Sequence, residues 1–203
     1  DVYKRQAFYG CTQLKQISLP KSVSQIGAYA YKGCPLQGTL DLMNIKDIGE
    51  GAFEGCTGLT SVVLPENLLR IEASLFQGCT GLTVVNIPQC VTTIGTSAFA
   101  SCSRLQSVSI PDEVERIEDY AFKGCSNMKH LAIGNSVKKI GVEAFGECRR
   151  LKSLSIPASV DSILSSFVDC DSVSSLELKD GNRPILIEGK CFNGGNMMID
   201  TLY

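Results

Sequence analysis

Apolar residues along this chain fall into two short blocks that alternate with polar, glycine-rich connections. In the first block Leu105, Val108 and Ile110 are apolar, and polar residues separate the last two. That period of two marks a half-buried strand. The trio returns as Leu14/Ile17/Leu19, Leu59/Val62/Leu64, Leu82/Val85/Ile87, Met128/Leu131/Ile133 and Leu151/Leu154/Ile156. A proline closes most copies, at Pro20, Pro65, Pro88, Pro111 and Pro157. Proline has no N–H for a ladder, so it ends a strand and turns the chain. The second block is an apolar pair: Val23/Ile26, Ile45/Ile48, Leu68/Ile71, Val91/Ile94, Val114/Ile117, Val137/Ile140 and Val160/Ile163. It predicts a short second strand on the opposite wall. Copies stacked on one another would set equivalent strands side by side as a parallel sheet, about 4.8 Å apart.

Each second block leads into an Ala-Phe-x-x-Cys segment. Phe8, Tyr31, Phe53, Phe76, Phe99, Phe122, Phe145 and Phe167 recur at 23-residue steps, shortened to 22 at two places. Cysteine follows three residues later at Cys11, Cys34, Cys56, Cys79, Cys102, Cys125, Cys148 and Cys170. Self-similarity at a fixed period in the twenties is the signature of a solenoid. The aromatic column is the expected spine, each ring stacked between its neighbours. A small residue precedes most of the rings, and Gly10, Gly33, Gly55, Gly78 and Gly124 precede cysteines where a positive φ would reverse the chain. A helical or 3₁₀ turn is expected around each Ala-Phe. The pattern therefore predicts a right-handed, β-rich coil of about eight turns.

Leu-x-x-Ile-x-Ile-Pro followed by Val-x-x-Ile-Gly-x-x-Ala-Phe-x-x-Cys resembles the BspA-like leucine-rich repeats, over residues 7–178. A degenerate repeat fills residues 179–203, with a strand at Ile185 to Ile187 and a displaced spine residue at Phe192. The resemblance implies a leucine-rich-repeat solenoid in a bacterial cell-surface or secreted protein. It also implies adhesion to proteins or glycans of host or neighbouring cells. A rival from another class is a passive spacer attached to an enzymatic domain elsewhere. Residues 1–6 read as the translation of a transposase mosaic-end sequencing adapter, and the chain stops in what looks like the start of a strand at Tyr203. Both ends are thus expected to be cut from a longer protein.

Composition narrows the partners. The formal charge is −2 and charged residues of both signs make up 20% of the chain. A nucleic-acid footprint would be strongly and locally basic. No run of eighteen apolar residues exists, so no membrane insertion is expected in this segment.

Ten cysteines raise the question of disulfides. The eight that share one slot are expected to form an inward column of packed thiols, because parallel Cβ vectors oppose bridging and free cysteine packs as a small hydrophobe. Cys90 and Cys191 fall outside the column. No Cys-x-x-Cys occurs, so zinc is not expected, and no motif points to another cofactor. His130 is the single histidine, on an outward strand position between Ser107 and Ser153 of adjacent turns. Serine is the default in that slot, and a triad needs a third converging group; no catalytic residue is expected. The outward rows run Gln16, Thr39, Ser61, Val84, Ser107, His130, Ser153, Ser175 and Ser18, Asp41, Val63, Asn86, Ser109, Ala132, Ser155, Glu177. Cations cluster from Lys123 to Lys152: Lys123, Lys129, Lys138, Lys139, Arg149, Arg150 and Lys152. Among these, Lys129, Arg149, Arg150 and Lys152, together with His130, form a candidate basic edge for anionic glycans or phosphates.

Overall fold

In a computed structural model that describes residues 6–181 and 185–188, the chain is a stack of coils. In chain order its strands are β1 (Gln25–Ile26), β2 (Gln37–Asp41), β3 (Asp47–Ile48), β4 (Gly58–Val63), β5 (Arg70–Ile71), β6 (Val84–Val85), β7 (Thr93–Ile94) and β8 (Ser107–Ser109). Then follow β9 (Arg116–Ile117), β10 (His130–Ala132), β11 (Lys139–Ile140), β12 (Ser153–Ile156), β13 (Ser162–Leu164), β14 (Ser175–Leu178) and β15 (Leu186–Glu188). Even-numbered strands are the expected Leu-x-x-Val-x-Ile blocks and odd-numbered strands the second blocks. All pairing is parallel, and each strand pairs with its equivalent in the neighbouring turn.

The sequence pointed to the even-numbered wall as the main sheet. The longer ladder is on the other wall: β5, β7, β9, β11, β13 and β15 form one six-stranded sheet. The even wall divides into β2-β4-β6, β8-β10 and β12-β14. Glycines on the odd wall sit tightly against the neighbouring turn. A Cβ added at Gly95 would lie 2.7 Å from the Ala73 nitrogen of the preceding turn, and one at Gly141 would lie 2.5 Å from that of Asp119. A Cβ at these two positions would force a shift of the neighbouring backbone.

The odd wall has one slit, between β3 and β5, where no ladder bond joins Lys46 or Ile48 to Leu69 or Glu72. The equivalent bonds elsewhere are intact, as in Thr92 N–H to the Leu69 carbonyl at 2.9 Å and Gly95 N–H to the Ile71 carbonyl at 2.8 Å. Glu72 occupies the slot held by Gly49, Gly95 and Gly141, and the buried Leu75 occupies the slot usually held by alanine. Glu118 fills the first slot in another turn without opening the ladder, but there the second residue is Ala121. Two oversized residues in one turn accompany the slit.

The Ala-Phe segment is neither helical nor 3₁₀, which corrects the expectation from its sequence. Ala98, Ala100 and Cys102 donate to the carbonyls of Gly95, Ser97 and Phe99, three residues back. The intervening N–H groups of Ser97, Phe99 and Ser101 donate instead to Asp119, Ala121 and Lys123 of the next turn, at 2.6–3.0 Å. A 3₁₀ helix needs consecutive three-residue bonds; this alternation makes a third ladder between turns. It continues past the slit, since Gly51, Phe53 and Gly55 bond to Ala73, Leu75 and Gln77. The alternation requires left-handed residues two before and two after the ring. Glycine meets that demand at Gly33, Gly55, Gly78 and Gly124, but Ser101, Glu147 and Asp169 adopt φ of 58–61° in the same slot. Two residues before the ring, Tyr29, Gly51, Ser74, Ser97, Tyr120, Glu143 and Ser165 do so at 47–60°.

Inside runs the spine. Eight rings stack with centroids 5.1–5.8 Å apart and planes within 17°. The offset-stacked range spans roughly 4.5–7 Å. Beside it lies the thiol column. Cys34, Cys56, Cys79, Cys102, Cys125, Cys148 and Cys170 are free and buried. Each thiol donates to the carbonyl of the aromatic residue in the preceding turn, at 3.0–3.6 Å. Cys11 departs from the inward expectation and is exposed, as is Phe8 at 44%, because only one neighbouring turn covers them among the described residues. Cys191 and Phe192 lie outside the described residues, as do residues 1–5 of the adapter-like segment.

Candidate functional site

The outward rows have the register read from the sequence. Thr39, Ser61 and Val84 align across β2, β4 and β6; Ser107 aligns with His130 and Ser153 with Ser175. Neighbours in a row hydrogen-bond along the solenoid axis, as in Thr39 Oγ1 with Ser61 Oγ at 2.7 Å and Ser155 Oγ to Glu177 Oε2 at 2.7 Å. His130 lies with Ser107, Ser109, Ala132 and Ser153 over a shallow strip on β8, β10 and β12. No carboxylate lines that strip.

The cation cluster separates once ion pairs are drawn. Lys123 Nζ lies 2.6 Å from Glu143 and 3.7 Å from Glu147. That hydrogen bond to Glu143, opposed by partial burial, raises the lysine's pKa. Lys138 meets Glu115 at 3.3 Å, Lys139 meets Glu118 at 3.9 Å, and Arg149 meets Glu147 at 3.7 Å. Lys129, Arg150 and Lys152 pair with no acidic side chain among the described residues. Of the five residues expected at the basic edge, Lys129 and Arg150 share one surface depression. His130 adjoins it on the sheet strip, Arg149 is drawn off by Glu147, and Lys152 follows Lys129 one turn on without lining the depression.

The depression measures about 250 Å³ and is lined by Thr83, Arg104, Gln106, Asn127, Lys129 and Arg150. Arg104 was not singled out from the sequence, although it precedes Leu105 as Arg150 precedes Leu151. It too has no acidic partner among the described residues. Backbone bonds hold the lining in register: Gln106 N–H donates to the Thr83 carbonyl at 3.3 Å and Lys129 N–H to that of Gln106 at 2.8 Å. Thr83 Oγ1 and Asn127 Nδ2 are committed to the carbonyls of Thr60 and Ser103. The groups left to meet a ligand are two guanidinium forks, one ammonium and one primary amide.

A second cationic feature sits on the ring-turn ladder. Lys32 lies over the rings of Tyr9 and Tyr29, at 6.0 and 5.3 Å, and Lys123 lies over Tyr120 at 5.5 Å. Tyr29 Oη donates to Glu50 Oε1 at 2.6 Å, a bond that pushes the phenol up to about 12. These cations are neutralised, Lys32 by Glu54 at 2.9 Å.

A parallel coil of 23-residue turns with leucine-type columns, a ring spine and open polar edges defines a leucine-rich-repeat solenoid. The chain belongs to the BspA-type leucine-rich repeat family: six copies of that repeat model match across residues 3–106 and 92–201. No curated relative matches it. It is similar to the crystal structure of a leucine-rich cell surface protein from Faecalibacterium prausnitzii, at 25% identity and a TM-score of 0.62. That match covers 86% of this chain and 56% of the other. It is also similar to the leucine-rich repeat protein of T. pallidum, at 26% identity and a TM-score of 0.56, over 85% of this chain and 70% of that one. A leucine-rich repeat protein from Eubacterium ventriosum, 16% identical with a TM-score of 0.57 over 98% of this chain and 69% of its own, shares the fold. No helix among the described residues is long and apolar enough to cross a membrane.

Proposed function

We propose that the chain is a non-catalytic binding and adhesion module of a bacterial cell-surface or secreted protein, recognising protein or glycan on host or neighbouring cells. The observation that carries this reading is the sorting of charges. Lys123, Lys138, Lys139 and Arg149 are paired, whereas Arg104, Lys129, Arg150 and Lys152 face solvent on one edge without an acidic partner. The unpaired cations leave that edge locally positive, which favours an anionic partner. The stacked turns present that edge and the Ser/Thr strip as one long surface, the form in which solenoids bind. Ser107, His130 and Ser153 share a row, but no acid stands beside them to complete a relay. The F. prausnitzii neighbour is described as a cell surface protein, which supports an outer location for this module.

The test is an array of extracellular-matrix proteins and glycans probed with the labelled chain and with a Lys129→Glu/Arg150→Glu variant. Saturable binding that the variant loses supports the reading. Binding to no ligand would instead favour the passive spacer, and binding unchanged in the variant would remove the edge from the site.

A further inference from the structure

We infer that the Arg104–Lys129–Arg150 depression, with the adjoining Ser107–His130–Ser153 strip, is a binding site for an acidic, uronate-bearing polysaccharide lying along the solenoid axis. This rests on the binding role proposed above and names the ligand class. Arg104 and Arg150 occupy one slot two turns apart, with Lys129 in the turn between them, two positions further along the repeat. Two turns correspond to about 10 Å of axis at the usual strand spacing. The arrangement repeats in one direction only, so it fits a polymer better than an isolated ion.

The chemistry of the lining points to carboxylate. Guanidinium forks take carboxylates bidentately, and an ammonium adds charge without directing it. Thr83 and Asn127 each give a donor hydrogen to a backbone carbonyl, so the charge that meets a ligand comes from the two guanidinium groups and the ammonium, and no acid lines the depression to repel an anion. Beside it, the hydroxyls of Ser107, Ser109 and Ser153 and the imidazole of His130 offer both donors and acceptors, the complement of sugar hydroxyls. Neither surface is lined by Trp, Tyr or Phe, the usual anchors of a protein interface. The formal charge of the whole chain is −2, so attraction for polyanions is local to this edge.

The experiment measures binding of the chain to polygalacturonate, dextran sulfate and neutral dextran at fixed ionic strength. Polygalacturonate should bind, and neutral dextran should not. Arg104→Gln and Arg150→Gln should each weaken polygalacturonate binding about tenfold, the scale of one charge-assisted hydrogen bond. Arg149→Gln, whose guanidinium is engaged by Glu147, should leave it within about twofold. Protection of the buried thiols in every variant confirms that the coil is intact. Equal affinity for dextran sulfate and polygalacturonate, or equal effects of Arg149→Gln and Arg150→Gln, would reduce the site to non-specific charge and overturn the assignment. If the chain binds proteins on the array through this edge but not polygalacturonate, the ligand class fails while the adhesion reading stands. If it binds nothing, both fail.

Discussion

Phe99→Ala removes a ring from the middle of the spine. The side chain is fully buried, with Phe76 at 5.6 Å on one side and Phe122 at 5.1 Å on the other. Its N–H and carbonyl bond along the chain and between turns, to Ala121 and from Cys102 and Cys125, and the substitution leaves those bonds in place. The loss is therefore packing alone. A buried Phe→Ala change costs about 3–5 kcal/mol when the cavity cannot collapse. Here collapse is blocked, because three backbone ladders fix the following turn and two fix the preceding one. In a chain of this size each kcal/mol lowers the melting temperature by about 2–4 °C, so a drop of about 6–20 °C is expected. Phe8→Ala, at a 44% exposed ring with one neighbour, should cost less than half as much. Ser107→Ala on the outer strip should stay within about 0.5 kcal/mol. Circular dichroism melts of the three variants measure this. Equal midpoints for Phe99→Ala and Ser107→Ala would refute the ring spine and the register built on it.

The remaining expectations concern backbone, slit and pH. Gly95→Ala places a Cβ 2.7 Å from the Ala73 nitrogen, so it should lower the melting temperature, whereas Ser101→Gly relieves a left-handed serine and should raise stability by about 0.5–1 kcal/mol. Hydrogen exchange should be faster at the amides of Leu69 and Glu72 than at Thr92 and Gly95; equal protection would close the slit. Burial pushes the Cys56, Cys79, Cys102 and Cys125 thiols well above their ordinary range, and Cys148 is pushed up by its hydrogen bond with Cys170 and then by burial. Unfolded thiols ionise near pH 8.5, so stability is complete below that pH and falls above it, by about 1.4 kcal/mol per pH unit for each thiol. A melting temperature that stays flat from pH 8 to about 10 would contradict the buried column.

The columns were legible in the sequence because each is a single residue type at a fixed step. The ring spine, the thiol slot and both outward rows follow from that regularity alone. The ring turn was misread as helical because Ala-Phe-x-x-Cys suits a helix as well as a turn ladder, and the bonds that decide it run to the next turn. The left-handed position two before the ring carries no glycine signature at Ser97, Tyr120 or Glu143. The basic edge was half legible. Charge density found Lys129 and Arg150, but pairing depends on partners a full turn away, such as Lys138 with Glu115. Arg104 stood outside the densest run of cations, and only alignment of its slot with Arg150 would have found it.

Thiol counting tests the account's central claim, that every turn sends the same residues inward, most directly. The native chain treated with a small alkylating reagent should react quickly at Cys11 and Cys90, which are exposed. Cys34, Cys56, Cys79, Cys102, Cys125, Cys148 and Cys170 should react only when the coil unfolds, and then together, without prior reduction. Peptide mass spectrometry assigns each site. Rapid native labelling of the interior seven, or thiols still hidden in denaturant until a reductant is added, would contradict the inward column and the repeat register that rests on it.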